Sequence, residues 1–218
     1  MKSWASSLAG ASRRDTIVRA MVAVVLVGAL VWFLPRTRPG EEGGHHAGHV
    51  AGHDGEPVLD AFEKAGISEF KEGQRGPAFS LATLDGRRAA LADYRDKLVI
   101  LNFWATWCVP CTDEMPTLEA LWKDYRARGL VVLGVSVDRG GPRALLEPYV
   151  RNLALTFPIL LDSDSKTANA WRVTALPATF VVKPGGEVAG NAVGAREWRS
   201  EPMQALLTGM LPTAHAHR

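Results

Sequence analysis

The chain has 218 residues, of which 47% are hydrophobic and 22% charged, with a formal net charge of +2 at pH 7. The length allows one medium domain plus a membrane or linker segment, and the apolar content argues against disorder over most of the chain. The nearly balanced charge, without a basic stripe, argues against a nucleic-acid-binding protein.

The N-terminal part contains a predicted membrane anchor. Residues 1–16 are polar and basic, and within residues 17–34 every residue from Ala20 to Leu34 is apolar or Gly. At about 1.5 Å per residue, this segment is close to the length that spans a bilayer. A cleaved secretory signal is the alternative, but no small-residue cleavage site follows the apolar run. Basic residues are concentrated before the run, so the positive-inside rule favours a cytoplasmic N-terminus and an external C-terminal part.

Residues 35–57 form a predicted Gly/His-rich linker. Its histidines, His45, His46, His49 and His53, fall within nine positions. A tract of this kind is either a solvated, flexible tether or a site for copper, zinc or nickel, because imidazole binds all three metals.

Residues 58–75 are a predicted amphipathic connector with a weak helical stripe from Val58 to Glu72, residues 76–211 are the predicted folded domain, and residues 212–218 are a tail. Hairpins are predicted around Asp85-Gly86 and Pro184-Gly185-Gly186. The other predicted elements are strands at Leu98–Trp104, Leu130–Val137 and Phe157–Leu161, and helices after Cys111 (kinked at Pro116), at Pro142–Asn152, Ser165–Trp171 and Glu197–Leu207. This alternation predicts an α/β fold with parallel pairing at the centre of the sheet.

The two cysteines of the chain, Cys108 and Cys111, lie between a β-prone run and a helical pattern. A sulfur at a helix N-terminus is stabilised as a thiolate by free backbone N–H groups, and the second sulfur, one turn later, is close enough to form a disulfide with it. Zinc binding is the alternative, but it needs further ligands. No second Cys pair exists, and no histidine lies between Asp54 and Ala214.

The motif LNFWATWCVPC, followed later by Thr174-Ala175-Leu176-Pro177, resembles the thioredoxin superfamily and, more narrowly, the membrane-anchored TlpA/ResA/CcmG-type thiol-disulfide oxidoreductases. The resemblance covers roughly Gly76 to Leu211. It implies a thioredoxin-like fold with an added N-terminal β-hairpin and a central insertion, here Gly140 to Leu161.

The resemblance also implies roles for individual residues. Cys108 is the attacking cysteine, Cys111 is the resolving cysteine, and the two form the redox-active disulfide. Pro177 is expected to follow a cis peptide bond, with an ordinary trans proline as the alternative. The expected substrate-binding residues are Trp107, Pro110, Leu176 and Pro177.

Asn102 departs from ordinary thioredoxin, and Glu114 is the expected replacement for the proton acceptor that is missing there. The buried Asp that thioredoxin places six residues before its first cysteine is here Asn102, which cannot accept a proton at physiological pH. Glu114, three residues after Cys111, stands where ResA-like members carry a functional carboxylate, and we expect it to assist Cys111. The alternative is an acid in the first helical turn that only complements the helix dipole.

The predicted function is therefore a membrane-tethered thiol-disulfide oxidoreductase without a cofactor, facing the periplasm from the bacterial cytoplasmic membrane. By resemblance, its partners are protein disulfides of apocytochrome c or of copper-site proteins, and a membrane electron donor of the DsbD/CcdA type. A copper-binding chaperone that uses the cysteines and the His-rich linker is the alternative function. A peroxiredoxin is disfavoured because Ala105, rather than Thr, lies three residues before Cys108, and a Cys–His hydrolase lacks a domain histidine.

Overall fold

The computed structural model describes residues 61–70, 73–140 and 142–212. The predicted N-terminal segment, anchor and linker, and the start of the connector, lie outside these residues, as does nearly all of the C-terminal tail. Within the described ranges, no helix is both long and apolar enough to cross a membrane.

The described residues form helices and strands that alternate along most of the chain. The helices are α1 (Ala61–Lys64), α2 (Val109–Tyr125), α3 (Pro142–Asn152), α4 (Lys166–Ala170) and α5 (Glu201–Met210). The strands are β1 (Ser68–Glu69), β2 (Ser80–Thr83), β3 (Arg88–Ala90), β4 (Leu98–Trp104), β5 (Leu130–Ser136), β6 (Ile159–Leu161), β7 (Ala178–Val182) and β8 (Val188–Val193). Short 3₁₀ turns cover Leu91–Tyr94 and Arg126–Arg128.

One mixed sheet joins these strands in the order β1-β8-β7-β4-β5-β6-β2-β3. Strand β5 pairs in parallel with β4 and β6, whereas the other neighbours are antiparallel. The central strands β4 and β5 are buried at every residue, as their continuous apolar sequences require when both faces of the sheet are covered. The predicted α/β class, the parallel centre and both hairpins are confirmed.

Strand β4 shows how the sheet divides the core into two clusters. Leu98, Ile100 and Trp104 pack in the cluster that contains helices α2 and α5, whereas Val99 and Phe103 pack in the cluster on the opposite face. Successive side chains of a strand point to opposite faces, so the same alternation sends residue 102 toward the α2 side. An Asn at this position is therefore buried beneath the helix that begins at the cysteines.

Several predicted elements differ from the structure in their bounds, and helix α2 already begins at Val109, before Cys111 rather than after it. The helical stripe from Val58 to Glu72 is helical only at Ala61–Lys64 in the described residues, because Gly66 adopts a left-handed φ of +68° and the following residues pair with β8. The last helix begins at Glu201 rather than Glu197, because Pro202 is tolerated only in the first turn of a helix. Strand β6 begins at Ile159, two residues later than predicted.

Candidate active site

The two cysteines lie where strand β4 passes into helix α2, and they form a disulfide with an S–S distance of 2.09 Å. Cys108 is the N-cap residue of α2, and its sulfur accepts a hydrogen bond from the backbone N–H of Cys111 at 3.3 Å. Pro110 occupies the first turn, where a missing N–H costs nothing. The helix runs unbroken through Pro116 to Tyr125. The local sequence thus places the first sulfur at the positive end of a 17-residue helix.

A groove lies in front of Cys108 and has a volume of about 680 Å³. Cys108 lines it, whereas Cys111 is fully buried and is not among the lining residues. Trp107 and Val109 flank the first cysteine and are 68% and 70% exposed. The other lining residues are Pro110, Val137, Arg139, Ser165, Ala168, Asn169, Val173, Thr174, Ala175 and Leu176.

The Leu176–Pro177 peptide bond is cis, which confirms the prediction from the sequence. Leu176 lines the groove opposite the cysteine-bearing turn. Pro177 itself is buried and does not line the groove, and its carbonyl oxygen accepts a hydrogen bond from the N–H of Gly194 at 2.8 Å. Of the four predicted substrate-binding residues, Trp107, Pro110 and Leu176 therefore share the groove, and Pro177 supports it from behind.

Glu114 lies behind the disulfide and is only 2% exposed. Its Oε1 accepts a hydrogen bond from Asn102 Nδ2 at 2.7 Å, and its Oε2 accepts from the backbone N–H of Arg196 and from Trp198 Nε1, both at 3.1 Å. Burial raises the pKa of the Glu114 carboxyl above its ordinary value, and the three hydrogen bonds only partly oppose that rise. A carboxyl group with a raised pKa is suited to exchanging a proton near neutral pH.

These contacts contradict the alternative in which Glu114 only complements the helix dipole. Helix α2 begins at Val109, so Glu114 lies beyond its first turn, and its carboxylate is engaged by three protein donors instead of facing solvent. Cys111 and Glu114 are three residues apart in one helix and therefore occupy the same face. The expected connection between the carboxylate and the second cysteine stays a prediction.

A second buried carboxylate, which was not predicted from the sequence, holds the turn that precedes Cys108. Asp138, 1% exposed, accepts hydrogen bonds from the backbone N–H of Thr106 at 3.1 Å, from Thr106 Oγ1 at 2.8 Å and from Ser136 Oγ at 2.8 Å. Thr106 is two residues before the first cysteine, so Asp138 positions the reactive turn. The signal available in the sequence was an acidic residue directly after the predicted central strand Leu130–Val137.

The insertion also reaches the active-site helix. Tyr149 of α3 stacks on Trp104 with ring centroids 5.1 Å apart, and its hydroxyl lies 2.7 Å from Thr112 Oγ1. Thr112 in turn donates a hydrogen bond to the carbonyl oxygen of Cys108 at 3.4 Å. Helix α3 therefore supports the start of α2, a contact that the separation in sequence did not indicate.

The profile of the AhpC/TSA family matches residues 73–190, which is more than half of the chain. The chain belongs to the AhpC/TSA family.

Relatives of this AhpC/TSA chain are disulfide-exchange proteins. It is 42% identical over 116 residues to the thiol-disulfide oxidoreductase ResA of Geobacillus thermodenitrificans, a match that covers 53% of this chain and 66% of that protein. The chain thus spans slightly less than two thirds of that relative. It is 34% identical over 130 residues to ResA of Bacillus subtilis, covering 60% of this chain and 72% of the relative.

A solved structure extends the likeness to three dimensions. A candidate thiol:disulfide interchange protein DsbE from Chlorobium tepidum matches with a TM-score of 0.59 and 26% identity, covering 64% of this chain and 97% of that one. The predicted thioredoxin-like fold and the resemblance to ResA-type oxidoreductases are therefore confirmed. The described part of this AhpC/TSA chain therefore has the fold of those proteins and carries the Cys108–Cys111 disulfide.

The described residues contain no group of three or more His, Cys, Asp or Glu side chains that is arranged to hold a metal ion. The four histidines of the predicted linker lie outside the described ranges. The copper-binding alternative, which uses both the two cysteines and this linker, therefore stays a prediction.

Proposed function

We propose that this protein is a membrane-tethered thiol-disulfide oxidoreductase that reduces specific protein disulfides outside the cytoplasmic membrane. The observation that carries the proposal is the unequal access to the two sulfurs. Cys108 lines the groove and caps helix α2, whereas Cys111 is 0% exposed behind it. A substrate disulfide in the groove meets Cys108 and not Cys111.

The reaction follows from this arrangement. In the reduced protein, the Cys108 thiolate attacks one sulfur of the substrate disulfide, a mixed disulfide forms, and the other substrate sulfur leaves as a thiolate. Cys111 then attacks the Cys108 sulfur, which closes the Cys108–Cys111 disulfide and releases the second substrate sulfur as a thiolate. Two electrons pass from the protein to the substrate, and the proton of the Cys111 thiol passes to Glu114, directly or through one water.

The groove favours an extended polypeptide as substrate. Trp107 and Val109 present apolar surface on one side, and Leu176 offers backbone groups on the other for strand-like pairing. Arg139 is the one charged side chain among the described residues that line the groove. The family resemblance directs the proposal toward the haem-attachment cysteines of apocytochrome c or the cysteines of copper-site proteins.

The location of the protein and the source of its electrons complete the proposal. The apolar segment 17–34 is the proposed tether, and the basic residues before it favour a catalytic part on the periplasmic side. A membrane electron donor of the DsbD/CcdA type regenerates the dithiol. External compartments are oxidising, so a reductase there requires such a supply of electrons.

The test is the reduction potential of the Cys108–Cys111 couple in the full chain, measured by equilibration with glutathione buffers. A reductase is expected to have a reduction potential of about −200 mV or lower. A value of about −120 mV is typical of an oxidant and overturns the proposal that the protein reduces its substrates. Trapping of a mixed disulfide in single-cysteine variants provides the matched control. Cys111→Ser is expected to accumulate a mixed disulfide with a protein substrate, and Cys108→Ser is expected to form none; the opposite pattern refutes the assigned roles.

A further inference from the structure

The Asn102 side chain uses its donor group twice and its acceptor not at all. Nδ2 donates to Glu114 Oε1 at 2.7 Å and to Thr179 Oγ1 at 2.9 Å. Oδ1 is buried and has no hydrogen-bond partner among the described residues. A buried carbonyl oxygen without a donor is unfavourable, and it is available to accept a hydrogen bond in another protonation state of the network.

The surroundings of Glu114 show which state that is. As observed, its two oxygens receive three donors, which suits an ionised carboxylate. A protonated Glu114 has an O–H group that needs an acceptor. Both partners of Oε2, the Arg196 backbone N–H and the Trp198 indole N–H, can only donate. Asn102, the partner of Oε1, is the one neighbour in this network that also carries an acceptor.

A half-turn of the Asn102 amide exchanges the positions of Oδ1 and Nδ2. Oδ1 then accepts the proton of the protonated Glu114 Oε1 and also accepts from the Thr179 hydroxyl, which rotates from accepting to donating. Asn102 keeps two hydrogen bonds in each state, and the amide group turned away from Glu114 is unpaired in both. An Asp at this position lacks the donor when it is ionised, and an apolar residue lacks both groups.

We propose that Asn102 is a positioning residue that holds Glu114 in both of its protonation states by reversing its amide group. The inference rests on the proposed function, in which Glu114 receives the proton of Cys111 during resolution. The groups that donate to the carboxylate come from β4 (Asn102) and from the segment before α5 (Arg196 and Trp198), and Thr179 of β7 contacts Asn102. The guanidinium of Arg196 is the charged group among them, and it donates to the carbonyl oxygens of Gly66, Gly194 and Ala195.

A spectroscopic experiment tests the reversal directly. The chain contains four asparagines, so labelling the full oxidised chain with ¹⁵N-asparagine yields four side-chain amide signals, and an Asn102 variant assigns the relevant one. We expect this signal to change with pH at the same midpoint as the carboxyl carbon of Glu114, with loss of the contact between its amide protons and Glu114. In the Glu114→Gln control, the Asn102 signal is expected to resemble the low-pH form at every pH. An Asn102 signal that keeps its contacts while Glu114 titrates overturns the proposal.

A kinetic experiment separates this proposal from the proposed function. When the reduced full chain reacts with 5,5′-dithiobis(2-nitrobenzoate), attack by Cys108 releases the first nitrothiobenzoate and attack by Cys111 releases the second. We expect Asn102→Leu to slow the second release by about tenfold or more and to leave the first within about twofold. Thr179→Val, which keeps the contact between Asn102 and Glu114, is expected to slow the second release less than about threefold.

The other outcomes are decisive as well. A second release that is unchanged in Asn102→Leu, or slowed no more than the first, overturns the positioning role. The first release by the wild type still tests Cys108 as the nucleophile, so the proposed function survives that result. If the wild type releases no nitrothiobenzoate in the first step, the proposed function itself is refuted.

Discussion

Removal of the Asp138 carboxylate should destabilise the protein and loosen the turn that carries Cys108. Asp138→Ala deletes the acceptor of three hydrogen bonds, two from Thr106 and one from Ser136. Ser136 is 1% exposed and cannot reach water, whereas the partly exposed Thr106 can. Hydrogen bonds to a charged group contribute about 1.5–3 kcal/mol each, but removing a buried charge recovers part of its desolvation cost.

We therefore expect Asp138→Ala to lower the free energy of unfolding by about 3 kcal/mol. Urea-induced unfolding of the oxidised chain, followed by tryptophan fluorescence, measures this change. The matched control is Asp164→Ala, because the Asp164 side chain is 56% exposed and pairs with Lys166 on the surface. The control should leave the urea midpoint of unfolding nearly unchanged, because a surface ion pair contributes little to stability.

The same variant should slow the chemistry. Thr106 lies two residues before Cys108, so loss of its anchor misplaces the attacking sulfur, and misplacement of a reacting group by about 1 Å lowers rates by up to about a hundredfold. We expect the reduced Asp138→Ala chain to react with a protein disulfide about tenfold more slowly than the wild type. A loss of stability below about 1 kcal/mol, together with an unchanged rate, refutes the reasoning.

Three further predictions concern the groove, the buried acid and the insertion. Trp107→Ala should lower kcat/KM for reduction of a protein disulfide by about tenfold and leave the rate with a small disulfide within about threefold, because only the larger substrate covers the exposed indole; equal losses contradict a binding role. Burial places the pKa of Glu114 above its ordinary value of 4.5, so wild-type stability falls as pH rises from that value to the raised one. The free energy of unfolding in urea of Glu114→Gln minus that of the wild type should therefore be larger at pH 8 than at pH 4. The reverse order is inconsistent with a raised pKa. Tyr149→Phe should cost about 0.5–1.5 kcal/mol in the same assay, since it deletes the hydroxyl contact with Thr112 and keeps the ring on Trp104; a loss above about 3 kcal/mol indicates a different role.

The cysteine motif shows why part of the site was predictable. The β-prone run, the C-x-x-C spacing and the helical pattern are contiguous, so the strand, the helix and the N-cap position of Cys108 follow from local rules. The cis bond before Pro177 was predicted from the family resemblance rather than from local rules. The connector was predicted less well, because Ser68–Glu69 became a strand through pairing with β8, a contact far along the chain.

The partners of Glu114 show what local patterns leave open. The sequence marked Glu114 and Asn102 as departures, but it did not indicate that Arg196 and Trp198, more than 80 positions later, complete the network. The contacts from Asp138 to Thr106 and from Tyr149 to Thr112 cross 32 and 37 positions in the same way. None of these pairs has a sequence spacing that specifies it.

The sequence by itself determined the elements whose causes are local: the strand, turn and helix around the cysteines, the two hairpins, and the α/β class that follows from their alternation. Only the tertiary structure decided which sulfur faces the groove, which donors surround the buried carboxylate, and that one amide oxygen is left without a partner. The physical reason is that periodicity and capping act over a few residues, whereas burial and hydrogen-bond satisfaction depend on which distant segments pack together.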